Sequence, residues 1–248
     1  MGTAPIPPES LLGGVGPGDY LAAGELTVSL LERYAGLAAS DRVLDVGCGL
    51  GRIAWPLAGK LAGRGSYAGF DVVRAYVDWC VEGLRLDPAR FQFRHADVHT
   101  SFYNPEGAVA AEDFVFPWAD ASFDLAIATS LFTHLLPGAV SHYLGQIART
   151  LRQGGRLFAS FYLLDDRVRG PAAAGVTDPP FPFPTEHGLL RDASVPESAV
   201  AIETEWLLAA CAAAGLGVTG VHPGKWQERD GPYYQDVVIA VRDSGAAP

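Results

Sequence analysis

Short runs rich in apolar residues alternate along the chain with longer stretches in which apolar residues recur at helical spacing. The runs stand at 42–46, 66–70, 91–96, 124–129 and 156–163, and each is read as a strand. Between them, helices are predicted over roughly 52–62, 72–85 and 138–152, the last ended by Gly154-Gly155 as by a C-cap. Another helix covers 20–38, where Leu26, Leu30, Leu31, Tyr34 and Leu37 share one face. A helix near 201–214 and two strands near 217–222 and 234–241, joined by a hairpin, complete the chain. Strands covered by helices on both faces read as continuous apolar runs. The pattern therefore predicts an α/β fold, a doubly wound and mainly parallel sheet with helices on both faces.

Three segments break the rhythm. Residues 1–18 are rich in Pro and Gly and read as an irregular arm, so 1–40 forms an arm followed by a helix. Residues 99–113 interrupt the third and fourth strands. Residues 165–200 form a long excursion after the fifth strand and contain Pro171, Pro179, Pro180, Pro182, Pro184 and Pro196. Both insertions attach at the carboxyl end of the sheet, where long loops tend to carry function. No internal repeat and no second core is visible, so residues 1–248 are read as one domain.

Composition narrows the function. Of 248 residues, 49% are hydrophobic and 19% charged, which excludes disorder as the main state. The net charge of −10 argues against nucleic acid and anionic membranes as partners. Residues 125–148 carry no Asp, Glu, Lys or Arg, but His134, Pro137-Gly138, Ser141, His142 and Gln146 make them read as strand, loop and amphipathic helix. Cys48, Cys80 and Cys211 are too scattered for a disulfide framework or a structural zinc site, and no metal is expected. The first basic residue is Arg33 and position 6 is Ile, so neither a secretory signal nor myristoylation is read, and a cytoplasmic location is expected. Nothing in the sequence sets an oligomeric state.

The chemistry concentrates in Val43-Leu44-Asp45-Val46-Gly47-Cys48-Gly49-Leu50-Gly51-Arg52. Glycines after a buried strand let backbone amides approach a ligand closely. Asp71 ends the second strand, where dinucleotide-type folds place an acid on ribose hydroxyls. Asp97 follows the third strand, in reach of an adenine amino group. A nicotinamide oxidoreductase is a weaker reading, because it wants GxGxxG and leaves Asp97 without a role.

VLDVGCGLGR followed by GFDVV, HADV, PWADASFDLAIATS and LRQGGRLF resembles the class I S-adenosylmethionine-dependent methyltransferases of bacterial small-molecule type. VGPGDYLAAGE, FYNPEG and YYQDVVIAV extend the resemblance over nearly the whole chain. It implies a Rossmann-like, seven-stranded sheet with the last strand antiparallel, and S-adenosylmethionine as cofactor, converted to S-adenosylhomocysteine. Gly47, Cys48, Gly49 and Gly51 would then run under the methionine part, with Asp45 supporting the loop or meeting its amino group. Asp71 would hold the ribose, Val72 and Val98 would flank the adenine, and Asp97 would meet its amino group. Thr129 would lie beside the sulfonium, and Tyr20 in the arm would close over the site. Arg52 reads equally as a contact to the cofactor carboxylate or as a solvated first-turn residue.

The acceptor is read as a small molecule, preferably a hydroxyl of a secondary metabolite or sugar. Nitrogen or carbon acceptors stay open, as does a cofactor-binding protein with another activity. His134, just beyond the fourth strand, is the candidate base, with a pocket-shaping role as the alternative. The two insertions are read as a lid or pocket over the acceptor. His142 is expected to be exposed, Asp165-Asp166 solvated, Trp79 in the core, and Phe114, Phe116 and Trp118 packed together. Glu186 and His187 are weaker pocket candidates, and His95 and His99 lack metal-ligand spacing.

Overall fold

The structure, a computed structural model, describes residues 4–13 and 18–243. A short helix α1 (Glu9–Leu12) precedes α2 (Tyr20–Tyr34). Asp19 caps α2 by accepting the Ala22 amide at 2.8 Å. Then follow β1 (Arg42–Val46), α3 (Ala54–Lys60), β2 (Ser66–Asp71), α4 (Arg74–Glu82), β3 (Phe91–His95) and β4 (Phe123–Ala128). Helix α5 (Pro137–Thr150) leads into β5 (Leu151–Leu164), α6 (Arg169–Ala173), β6 (Phe183–Thr185) and β7 (Gly188–Leu190). The chain closes with β8 (Val200–Glu203), α7 (Thr204–Ala213), β9 (Leu216–His222) and β10 (Asp236–Arg242).

The expected seven strands run in the order β3-β2-β1-β4-β5-β10-β9. The first five are mutually parallel, and β10 is antiparallel to both neighbours. Successive residues of β1 face opposite layers. Leu44 and Val46 join the layer of Leu144 and Ile147 from α5, while Val43 joins Leu31 of α2 and Leu57 of α3. Both faces are therefore sealed, and ligand access is left to the strand ends.

Two expectations about this region change. The excursion at 165–200 is not all loop: it carries α6, β6, β7 and the start of β8, and its strands extend the sheet because β5 is 14 residues long and outruns the body of the sheet. Its residues 156–161 pair with β10, and Tyr162–Leu164 pair with β8, which β7 and β6 extend antiparallel. Strands of three or four residues are too short to show a period of two, so they read as loop. Gly154-Gly155 does not cap α5 either. The helix ends at Thr150, the Leu151 amide bonds back to Ile147, and the glycines form a kink at the start of β5, with Gly154 at φ +68°.

Candidate functional site

The chain leaves β1 through a loop whose glycines are required. Gly47 and Gly51 have φ of +74° and +73°, which side-chain-bearing residues rarely adopt. A Cβ on Gly51 would stand 2.6 Å from Leu84 Cδ1. The loop is tied to β2, since the Gly47 and Cys48 amides both donate to the Phe70 carbonyl, at 3.0 and 2.9 Å. The Tyr20 hydroxyl donates to the Leu50 carbonyl at 2.7 Å, and Tyr20, Leu50 and Tyr76 form one small buried cluster. The arm and α2 therefore lie against the loop. Cys48 is buried within it, and Cys80 beside it together with burial pushes its thiol up.

Two of the three acids are buried against this loop. Asp45 accepts the Tyr67 hydroxyl at 2.7 Å through Oδ2, while its buried Oδ1 has no partner. Burial raises its pKa to about 7. Asp71 accepts the Gly49 amide at 2.7 Å and the Val73 amide at 2.9 Å. Burial pushes it up as well, against those hydrogen bonds. Asp97 is exposed, two residues past the end of β3, and Asn104 Nδ2 lies 3.4 Å from its Oδ1. Val98 is buried and Val72 half-buried. Arg52 is half-buried, forms no ion pair among the described residues, and acts electrostatically on Tyr20, Asp45, Tyr103 and Tyr233.

These features fit S-adenosylmethionine. A buried carboxyl with one unpartnered oxygen suits an ammonium group, the loop lets a ligand lie against backbone, and Asp71 has lone pairs to spare for hydroxyls. Bound there, the cofactor would be held by Asp45, the glycine loop and Asp71.

Beyond β4 several chain segments converge. Thr129 is half-buried at the strand end, and Ser130 follows at φ +54°, an unusual conformation for serine. Ser130 is fixed by its amide donating to Ser160 Oγ at 2.8 Å and by its hydroxyl donating to Gln235 Oε1 at 3.0 Å. His134 ends a short 3-10 turn. Its Nδ1 lies 2.9 Å from the Glu197 carbonyl, and its Nε2 faces the Tyr103 hydroxyl. Both insertions thus reach His134. Burial lowers the pKa of His134 below the usual histidine value.

Ser130, Gln235, Tyr103 and Glu197 were not legible as site residues. Glu197 sits in a proline-rich stretch, and only FYNPEG and YYQD, as features of the resemblance, drew attention near Tyr103 and Gln235.

The remaining candidates do other things. His142 is not exposed as expected: it is half-buried, with Nε2 2.8 Å from the Phe114 carbonyl, because the 99–113 segment leads into residues that cover that side of α5. Asp165 is engaged rather than free, accepting the Arg167 and Val168 amides and pairing with Arg229 at 3.1 Å. His187 stacks on Trp206, ring centres 5.2 Å apart. His95 and His99 bond to the backbone carbonyls of Val72 and Pro105. Phe114, Phe116 and Trp118 pack around Phe70. Among the described residues no group of three or more His, Cys, Asp or Glu is placed to hold a metal ion, and no helix is long and apolar enough to cross a membrane.

Residues 43–155 match the family described as Methyltransferase domain. Over 143 residues the chain is 34% identical to 27-O-demethylrifamycin SV methyltransferase of Amycolatopsis mediterranei, which covers 56% of this chain and 46% of that protein. It is 26% identical over 132 residues to a tRNA N(3)-cytidine methyltransferase of Danio rerio, covering 53% of this chain and 34% of that one. The chain thus spans half or less of the length of these curated relatives. Its fold is similar to that of 1,6-didemethyltoxoflavin-N1-methyltransferase of Burkholderia thailandensis, solved with S-adenosylhomocysteine bound. The TM-score is 0.57 at 17% identity, over 90% of this chain and 80% of that one. The matched residues run from the strand before the glycine loop to the start of β5, the part of the sheet that carries the glycine loop, Asp45 and Asp71, and over that part the chain is similar to the methyltransferase domain family, while its fold is similar to that of a solved methyltransferase.

Proposed function

We propose that the chain methylates a hydroxyl of a small molecule, with His134 as the base. The cofactor supplies an electrophilic methyl group; the protein must orient the acceptor and remove its proton. The observation that carries this reading is the setting of His134: a half-buried imidazole of lowered pKa, beyond β4, with one ring nitrogen bound to a carbonyl. Such a ring is neutral near pH 7 and keeps a lone pair for a proton.

On the cofactor side, Asp45 takes the methionine ammonium, the loop at Gly47, Cys48 and Gly49 carries the chain above it, and Arg52 meets the carboxylate. Asp71 holds the ribose, Val72 and Val98 flank the adenine, Asp97 reaches its amino group, and Tyr20 closes the arm over the loop. Thr129 borders the reacting centre. The insertions at 99–113 and 165–200 wall the acceptor compartment. The net charge of −10 supports a small metabolite over a nucleic acid, and a cytoplasmic enzyme of secondary metabolism is the reading we adopt.

Calorimetry with S-adenosylmethionine, S-adenosylhomocysteine and NADH, followed by a mass-gain screen of phenols, alcohols and amines, tests this. Binding of the first two ligands, with one methyl gained on a hydroxyl and turnover lost in His134→Gln, supports it. A methylated amine with His134→Gln fully active would move the target to nitrogen. Cofactor binding without any methylated product would favour a cofactor-binding protein.

A further inference from the structure

His134 is held from three sides by residues far apart in the chain. Nδ1 meets the Glu197 carbonyl at 2.9 Å, and Nε2 meets the Tyr103 hydroxyl at 3.5 Å. The Phe102 ring lies parallel to the imidazole, ring centres 5.9 Å apart and 1° from coplanar, while Tyr103 stands edge-on at 5.1 Å. The Glu197 carboxylate in turn accepts the Ser101 amide at 2.5 Å and the Ser101 hydroxyl at 2.7 Å. One residue therefore joins the two insertions to each other and to the imidazole.

The partners decide where the ring proton sits. A carbonyl oxygen only accepts, so in the neutral ring Nδ1 carries the hydrogen and Nε2 the lone pair. The Tyr103 hydroxyl then donates to Nε2. Tyr103 and Glu197 are the titratable groups that face the ring. Burial lowers the ring's pKa, with the Glu197 carbonyl and charge acting the other way, and burial raises that of Tyr103 to about 12. Both groups are neutral near pH 7.

We propose that Glu197 is a positioning residue: by latching Ser101 while its carbonyl takes the Nδ1 hydrogen, it fixes His134 as the Nδ1–H tautomer and turns Nε2 toward Tyr103, whose hydroxyl relays the acceptor's proton. The relay rests on the reading of His134 as base. In it, Tyr103 gives its own proton to Nε2 and takes the acceptor's, so the phenol is regenerated and the imidazole carries the positive charge. The acceptor oxygen keeps the electron pair of its O–H bond for the new bond to carbon.

Long-range proton–nitrogen correlation spectra of 15N-histidine protein read the tautomer of each of the six imidazoles, and His134→Gln identifies the signal of His134. The expected signal has a protonated Nδ1 and an unprotonated Nε2. Glu197→Ala is expected to give mixed tautomers and a pKa moved toward ordinary histidine, while Glu197→Gln, whose amide oxygen still accepts from Ser101, keeps the wild-type signal. Tyr103→Phe is expected to keep the tautomer and raise the pKa of the ring, because the lone pair loses its donor. Unchanged S-adenosylhomocysteine affinity on the same samples shows that the variants are folded. A protonated Nε2 in the wild type, or a Glu197→Ala signal unchanged in tautomer and pKa, overturns the proposal. Should the tautomers behave as stated while His134→Gln still methylates a hydroxyl at the wild-type rate, the relay and the base reading fall together and the latch alone stands.

Discussion

The Asp71 carboxylate accepts the Gly49 amide at 2.7 Å, so the acid at the end of β2 braces the loop at the end of β1. With Val73 on its other oxygen, Asp71 holds two segments that the proposed cofactor must touch at once. Hydrogen bonds to a charged group are worth about 1.5–3 kcal/mol each. Asp71→Ala loses the brace and the proposed ribose contact together, and is expected to weaken S-adenosylhomocysteine binding by about a hundredfold or more. Asp71→Asn keeps one acceptor oxygen and should fall in between. Calorimetric affinities that do not change would remove Asp71 from the site.

If Asp45 takes the cofactor ammonium as proposed, cofactor affinity depends on pH. Its pKa is raised to about 7 by burial, so the folded chain holds that proton more tightly than the unfolded chain does. The stability this adds is fully present below the ordinary aspartate value, about 4, and is lost as pH rises toward about 7. A cation beside Asp45 favours the carboxylate. Binding at pH 6 should therefore release a proton, and affinity should rise between pH 5 and 7. Titrations in two buffers of different ionisation enthalpy measure the proton count. Asp71 shifts in the same direction, so Asp45→Asn is the control: it should abolish most of the release and make the free chain more stable at pH 8. Equal proton release in that variant would assign it elsewhere.

Gly24 shows how closely α2 is applied to the loop. A Cβ there would stand 2.1 Å from the Arg52 carbonyl oxygen, a backbone atom that cannot swing aside. Gly24→Ala is expected to cost about 1–3 kcal/mol by overpacking, and to weaken the cofactor through displacement of Arg52. Gly145, in the interior of α5, has nothing within 4 Å of its added Cβ. Gly145→Ala should instead stabilise the chain by about 0.5–1 kcal/mol. Urea melts of both variants compare the two; equal effects would mean that α2 can shift freely.

The cofactor side of the sheet was readable because its signals are local. Asp45, Asp71 and the glycines lie at the ends of runs whose apolar pattern marks them as strands, and the resemblance supplied their order. The region beyond β4 was not readable, because its contacts are long-range. Ser101 and Glu197 are 96 residues apart and Ser130 and Gln235 are 105 apart, and no spacing rule joins them. β6 and β7, of three residues each, were hidden for another reason: Pro182 and Pro184 read as loop, yet Pro184 lies on an edge strand, where a missing N–H donor is tolerated. His142 was misjudged because helical periodicity describes the helix and not the segment laid over it.

The layer formed by the 165–200 segment has its own small core, in which Phe181 is fully buried with Tyr162, Val168, Ala172, Leu189 and Trp226. Removing residues 170–184 would empty this core, so a point variant is the sharper probe. Phe181→Ala should cost about 3–5 kcal/mol if the surroundings do not collapse. The loss should be concentrated in β6–β8, because few of those contacts reach the glycine loop. Hydrogen exchange is then expected to speed up over 160–203 while residues 42–71 keep their protection and S-adenosylhomocysteine keeps its affinity. The Glu197 carbonyl rides on this layer, so acceptor turnover should fall even though cofactor binding does not. Exchange that quickens equally in both regions would mean that the layer and the cofactor half fold as one unit, and the insertion could not then open over an acceptor independently.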